Sequence, residues 1–435
     1  MSNYFENITA DSLTGLIFAL EGIKKTAVLL NGPTGCKFYH SAISDHQYMR
    51  SMDFDPLNHP EKFYFGQSRV PCTYLDSYDY VYGSRAKLEA LLEHIKQGDY
   101  ELIAIINSPG AALIGDDLTG IAGEIIKDKQ VLTIETPGFS ENFSKGFQEG
   151  IIALLKGLKL SEGSGKERNR VNLLGVSIYN KYYQGDIEEI KRLLGFCGIE
   201  VNCVLCADTD LADIRHLPQA SLNIVLYPEL GLEIARYLEI NQGMPFWVFE
   251  QGLPIGFQLT EQFIKQICSK LEQNQEPFQV ELEKARLRAF MPISRLNSLT
   301  GLPRGATFAV EAPSSALLAY SKFLMGYFGL LPACLQLFEE SPRLYEKELL
   351  GFLASYQLEG AYYRQIEETK SDLVLASGQR IAQLKLKKNL FSGIEISLPT
   401  LGYIDVLPRT HLGLAGSLLL CEQILNGVVT SQRVW

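Results

Sequence analysis

The feature that most constrains this chain is an alternation that restarts. Short β-branched and aliphatic runs trade places with helix-period stretches, and the exchange begins afresh twice along 435 residues. Such alternation builds βαβ units around parallel sheets. "LIAII" at 102–106 reads as a buried strand. "GDDLTGIAGEIIKD" then reads as a helix with Leu118, Ile121, Ile125 and Ile126 on one face, "VLTIE" at 131–135 returns to the sheet, and a further helix ends near Leu158. The polar, aperiodic "KLSEGSGKERNR" at 159–170 predicts a linker. Beyond it come "VNLLGV", "EVNCVLC", "LNIVLY" and "PFWVF" as strands separated by helical patterns, and a third round opens at "ATFAVEA", 306–312, and closes with a helix carrying "AGSLLLCEQIL". A chain of this length exceeds one core. The reading is therefore α/β, with three successive parallel-sheet domains at 1–165, 166–285 and 286–435. Ligands in such sheets sit beyond the strand carboxyl ends.

Composition removes several function classes. With a net charge of −10 and no basic stripe, nucleic acid is not an expected partner. No apolar run approaches the ~20 residues that cross a bilayer, and the first residues lack a basic segment followed by an apolar one. The expectation is a cytoplasmic protein with no membrane partner. In that reducing setting the eight scattered cysteines read as packing, ligands or nucleophiles rather than disulfides.

One turn stands out. "VLLNGPTGCKFYH", 28–40, sets glycines 32 and 35 after an apolar run and places Cys36 at the lip. A phosphate loop would need a longer glycine loop and a hydroxyl residue after the lysine, and Phe38 follows Lys37 here. Free rotation at Gly32 and Gly35 is instead expected to turn the chain sharply and push the Cys36 thiol outward. Cys72, in "RVPCTYLDSYDYVYG", occupies a second loop of the same domain, so the two thiols can meet in space. Cys197, Cys268, Cys334 and Cys421 lie inside helix or strand patterns and read as core. Cys203 and Cys206 form a CxxC on an expected strand, where residues three apart point to opposite faces, which argues against a joint site. Asp116 and Asp117 read as capping the helix after them. The six histidines have no zinc-protease spacing, and there is no GxSxG elbow or complete GxGxxG.

These residues, taken in order, resemble nitrogenase component 1 and its relatives. "LLNGPTGCKFY" is similar to the family's His-Gly-Pro-x-Gly-Cys turn, with Asn31 in the histidine's place. "CTYLDSYDYVYGSRAKLEALL" resembles its second-cysteine segment, and "LIGDDLTGI", "TPGF" and "GFQEGI" match the family's next segments in turn. "GDIEEIKRLLGFCGIEVNCVL", "ASLNIVLYPELGLEIARYLE", "GMPFWVFEQGLPIGFQLTEQFI" and "HLGLAGSLLLCEQILNGV" keep the same order over nearly the whole chain.

The resemblance implies three Rossmann-like α/β domains of nitrogenase component 1 type. It also implies paired subunits sharing an iron-sulfur cluster at their interface, fed by a P-loop iron-sulfur ATPase reductase. Carried onto this chain, the cluster ligands are Cys36 and Cys72. The family's third cluster cysteine precedes the Ile-Gly-Asp-Asp segment, where this chain has Ser108 and Pro109. The positions that hold a catalytic cofactor in true nitrogenase fall at Tyr227 and Leu412, with His411 one place off, which argues against a molybdenum cofactor and against dinitrogen as substrate. A cubane takes four thiolates. Two copies would supply Cys36 and Cys72 from each and close a 4Fe-4S cluster on a twofold axis; a heterodimer with a paralogous subunit is the other arrangement. The expected activity is reduction of an unsaturated or sulfur-containing small molecule or a tetrapyrrole. A scaffold for metallocluster assembly and a structural subunit without its own cluster are the alternatives. Lys37, His40, His46, Arg69 and Tyr227 are candidates for lining the cleft where the substrate would sit.

Overall fold

Strands β1 (Thr26–Asn31), β2 (Leu102–Asn107) and β3 (Gln130–Ile134) form a parallel sheet in that order. The computed structural model describes residues 10–37, 70–136, 141–161, 167–338, 341–387, 390–400 and 405–432. Every residue of β2 is buried, because helices cover both faces and leave no room for polar alternation. One face, carrying Ala27, Leu29, Ile103 and Ile105, packs on Leu88, Leu92 and Ile95 of the helix Arg85–Ile95 and on Leu118, Ile121 and Ala122 of the helix Leu118–Ile125. The other side carries the crossing of the helices Ser12–Glu21 and Phe143–Gly157. Their backbones meet at two glycines: a Cβ on Gly15 would run into the Phe143 carbonyl, and one on Gly146 into the Ser12 carbonyl.

The second sheet has the order β5 (Glu200–Val204), β4 (Glu167–Leu174), β6 (Ala220–Val225), β7 (Phe246–Val248). The third has the order β11 (Ser392–Ser397), β10 (Leu373–Ser377), β8 (Thr307–Ala312), β9 (Leu331–Leu337). In both, the first strand is internal, so the chain order reverses beside it. The carboxyl ends of β4 and β6 flank one such switch point.

The described chain clusters into two compact units. One comprises residues 1–162 with 203–218, the other 163–202 with 219–435. The returning segment is tied into the first unit by a parallel bridge between Ile23 and Thr209, by Lys24 N–H donating to the Thr209 carbonyl at 2.9 Å, and by Ser161 N–H donating to the Arg215 carbonyl at 2.8 Å.

Several expectations need correction. Residues 167–170, read as linker, open β4. The strand expected through Cys206 stops at Val204; Cys206 stands in a turn at φ +59°, and both Cys203 and Cys206 are buried. Asp117 caps its helix by accepting the Gly120 amide at 2.8 Å, but Asp116 turns away and accepts Ser84 N–H and O–H at 2.6 and 2.7 Å. The helix Gly413–Ser431 is, by length and composition, long and apolar enough to cross a bilayer. It is half buried, against β10, β11 and the helices Tyr183–Phe196 and Glu276–Thr300, as a core helix is.

Candidate functional site

The site begins where β1 ends. Asn31 is buried, and its side chain ties three segments: Nδ2 donates to Asn107 Oδ1 at 2.9 Å and to Ser84 Oγ at 3.0 Å, while Oδ1 accepts the Thr73 hydroxyl at 2.9 Å. The amide, which can donate and accept at once, joins the ends of β1 and β2 to the loop carrying Cys72. That loop runs beside β1 as a short parallel edge, with Leu30 N–H to the Pro71 carbonyl at 2.9 Å and Thr73 N–H to the Leu30 carbonyl at 3.1 Å. Cys72 is thereby buried, its thiol donating to the Gly32 carbonyl at 3.0 Å, and Tyr74 N–H points at its sulfur at 3.4 Å.

The glycine turn differs from the sequence expectation. Residues 34–37 form a 3-10 turn, and neither Gly32 nor Gly35 adopts a positive φ. Gly32 is required by crowding instead: a Cβ there would lie 2.6 Å from the Ser108 hydroxyl. Cys36, on this turn, is half-buried. Burial pushes its thiol above the ordinary value; Ser108 acts in the opposite direction and the charge of Cys72 adds to the rise. Cys36 and Cys72 thus stand on neighbouring loops at the end of the first sheet, the Cys72 thiol on the carbonyl of Gly32, four residues before Cys36. Ser108 itself is fully buried, its amide donating to the Asn31 carbonyl at 2.8 Å and its hydroxyl oxygen accepting the Ala111 amide at 3.2 Å. Sequence reading treated Ser108 only as a missing cysteine. A serine after a buried strand and before a proline already carried the signal of a fixed, inward-facing hydroxyl.

Around this point the surface is aromatic. Tyr74, Tyr78, Tyr80, Val81 and Tyr82 are exposed, the Tyr78 and Tyr82 rings lie 4.5 Å apart, and Leu113 stands 78% exposed. The Tyr80 phenol packs on the short turn after β2, where a Cβ on Gly110 would lie 2.9 Å from its oxygen.

Of the other candidates, His40, His46 and Arg69 lie outside the described residues, as does the side chain of Lys37. Tyr227 follows β6 at the carboxyl end of the second sheet. Its hydroxyl donates to Asp186 Oδ2 at 2.6 Å, and Thr410 Oγ1 donates to Oδ1 at 2.6 Å. Burial raises the Asp186 carboxyl to about 7. His411 is buried, with Nδ1 2.8 Å from the Tyr320 hydroxyl and Nε2 2.9 Å from Gln423 Oε1, and burial lowers it to about 3. Both ring nitrogens are engaged, so His411 presents no free donor to a metal. Leu412 is buried at the start of the last helix.

The donor chemistry of the first site is that of thiolate ligands to an iron-sulfur cluster. Two thiols on neighbouring loops, one with a backbone N–H directed at its sulfur, have the chemistry that thiolate ligation requires. Among the described residues no group of three or more His, Cys, Asp or Glu is placed to hold a metal ion, so the remaining ligands would have to come from outside this set.

Known proteins resemble this chain both in sequence and in fold. The B subunit of the light-independent protochlorophyllide reductase of Prochlorococcus marinus (strain MIT 9313) is 31% identical over 225 residues, covering 48% of this chain and 41% of that protein. The same subunit from Prochlorococcus marinus (strain NATL1A) is 30% identical over 246 residues, covering 54% and 46%, and that of Bradyrhizobium sp. (strain ORS 278) is 31% identical over 175 residues, covering 38% and 33%. The matched stretches thus span less than half of each relative's length. The solved structure "Nitrogenase Cp1 at pH 6.5" shares the fold with a TM-score of 0.76 at 18% identity, over 98% of this chain and 93% of that one. The family described as nitrogenase component 1 type oxidoreductase matches residues 12–429, and the chain belongs to it.

Proposed function

We propose that this chain is the catalytic component of a nitrogenase-like reductase. In this reading Cys36 and Cys72 hold half of a 4Fe-4S cluster at a subunit interface, electrons come from a P-loop iron-sulfur ATPase, and the substrate is a small unsaturated molecule or a tetrapyrrole rather than dinitrogen. The observation that carries it is the placing of two loop thiols at the carboxyl end of the first sheet, Cys72 beside β1 with its thiol on the carbonyl of Gly32, four residues before Cys36, and no third ligand beside them among the described residues. The names of the relatives, subunits of a protochlorophyllide reductase, support the tetrapyrrole class.

When bound, the cluster supplies single low-potential electrons. The chain's own residues do the rest. Cys72 is pre-oriented by the Gly32 carbonyl, and Cys36 is carried by the 3-10 turn that follows Gly32. The exposed tyrosines beside them form the kind of apolar, aromatic face that a second subunit covers, either another copy or a paralogue. Reduction of an unsaturated bond consumes protons with its electrons, and Asp186, protonated to about pH 7 and linked to Tyr227, keeps a proton near the switch point of the second sheet. The paired engagement of His411 with Tyr320 and Gln423 speaks against a nitrogenase-type cofactor there. The three sheets support domains at 1–165, 166–285 and 286–435, the second boundary falling inside the helix Glu276–Thr300. A cytoplasmic location accompanies this reading.

Anaerobic purification with iron and sulfide counted per chain, and an EPR spectrum of the reduced protein, tests it. About two irons per chain fit one shared four-iron cluster in a homodimer, lost when Cys36→Ser and Cys72→Ser are combined. Iron-free wild-type protein, or iron retained by the double variant, overturns it. A cluster that leaves for an acceptor protein, without turnover in the presence of ATP, dithionite and the reductase, would make the chain a scaffold.

A further inference from the structure

We propose that Asn31 is a positioning residue for Cys72, handing on to the cysteine loop an orientation that is set at Asp116. This deepens, and rests on, the reading of Cys72 as a cluster ligand.

A run of hydrogen bonds joins Asp116 to the loop, and it can be written in one direction only. The Asp116 carboxylate takes both the amide and the hydroxyl of Ser84, at 2.6 and 2.7 Å. With its proton spent there, Ser84 Oγ can only accept from Asn31 Nδ2, at 3.0 Å. Ser84 stands at the N-cap of the helix Arg85–Ile95 yet makes no side-chain cap, because its hydroxyl serves Asp116 and Asn31 instead. Asn107 makes the same demand from another side. Its Nδ2 donates to the Glu135 carbonyl at 3.0 Å, which leaves Oδ1 to accept the second Asn31 N–H at 2.9 Å. Both neighbours need a donor, so the Asn31 amide is fixed against a flip and its Oδ1 faces Thr73, whose hydroxyl donates at 2.9 Å. Thr73 Oγ1 in turn accepts the Gly32 amide at 3.0 Å. Gly32 is thereby held on both sides, since its carbonyl accepts the Cys72 thiol at 3.0 Å and the Leu75 amide at 3.1 Å. The backbone edge at Leu30 ties the loop to β1 alone; the side-chain run ties it also to β2 and to the start of the helix Arg85–Ile95. Asn31, Thr73, Ser84 and Asn107 are all buried, so bulk water does not replace a partner removed from the run.

The test follows the Cys72 thiol in the full chain, purified anaerobically and freed of iron by a chelator. Iodoacetamide modification is measured at each cysteine by peptide mass spectrometry, in variants whose far-ultraviolet circular dichroism matches wild type. Asn31→Leu keeps the branching at Cγ and removes both donors and the acceptor. The expected result is modification of Cys72 faster by about tenfold or more, with the buried Cys197, Cys334 and Cys421 each within about twofold of its own wild-type rate. A purely structural loss would raise all of them together. Asp116→Ala should speed the same thiol, and the double variant should be no faster than the quicker single one. Thr73→Val, which cuts the run beside Gly32, serves if Asn31→Leu fails to fold, with the same selective rise expected. An equal rise at every buried cysteine, no rise at Cys72 in either single variant, or multiplied effects in the double variant overturns the proposal and leaves the cluster reading intact. Iron and sulfide counted in the wild-type protein before chelation test the cluster reading separately: their absence sinks that reading, while the thiol rates still decide the role of Asn31.

Discussion

The Cys72 sulfur lies 3.0 Å from the Gly32 carbonyl oxygen, and the same carbonyl accepts the Leu75 amide at 3.1 Å. One residue thus sets the position of a thiol and the return of its loop, while its bare α-carbon leaves space for Ser108.

Gly32→Ala is therefore expected to damage the site more than the fold. The added methyl must displace Ser108, at a cost of about 1–3 kcal/mol. Iron per chain should fall well below that of wild type in protein whose far-ultraviolet circular dichroism is unchanged.

The pH dependence of stability should show two opposed contributions. Asp186 keeps its proton to about 7 in the fold but only to about 3.9 when unfolded. The folded state then holds the extra proton, and stability declines as pH rises through that window. His411, lowered to about 3 against about 6.5 unfolded, has the reverse sign: the unfolded chain takes the proton first, so stability grows as pH rises from 3 to 6.5. Asp186→Asn removes only the falling limb. Its advantage over wild type in urea unfolding should grow by about 2–3 kcal/mol between pH 5 and pH 8.

Lys181 is almost wholly buried, with Glu395 Oε2 at 2.9 Å and Asp405 Oδ2 at 2.8 Å. Lys181→Met would leave two shielded carboxylates without their cation, and the expected loss is about 3–5 kcal/mol by denaturant titration. Replacing all three by apolar residues of similar volume should recover most of it.

Gly146→Ala presses a methyl onto the Ser12 carbonyl, a backbone atom that cannot rotate aside. Destabilisation of at least about 2 kcal/mol is expected. Gly157→Ala on the same helix, where nothing lies within 4 Å, should be neutral or slightly stabilising and serves as the control.

If the tyrosine face is the subunit contact, Tyr78→Ser with Tyr82→Ser should weaken association in sedimentation velocity and leave monomer unfolding unchanged. Both rings are exposed, so they contribute little to the monomer's own core.

The sheets were legible because strands covered on both faces must be written as continuous apolar runs; "LIAII" became β2 almost residue for residue. The helix Ser12–Glu21 was not. It is buried all round, so no polar stripe marks its period. Cys36 and Cys72 were legible as loop thiols, but the turn was misread: glycine reports both a left-handed backbone and a close approach, and only coordinates distinguish the two. Asp116 was misassigned for a similar reason. Its partner, Ser84, lies 32 residues back, where helix-capping rules do not look.

The segment 203–218, which belongs to the first unit although β4 and the helix Tyr183–Phe196 precede it, has a consequence for synthesis. Thr209 completes the edge beside Ile23, so a nascent chain cannot finish its amino-terminal unit until the ribosome has made some fifty residues past position 162. A fragment cut at that apparent border would leave Gly22 and Lys24 without their backbone partners at Thr209.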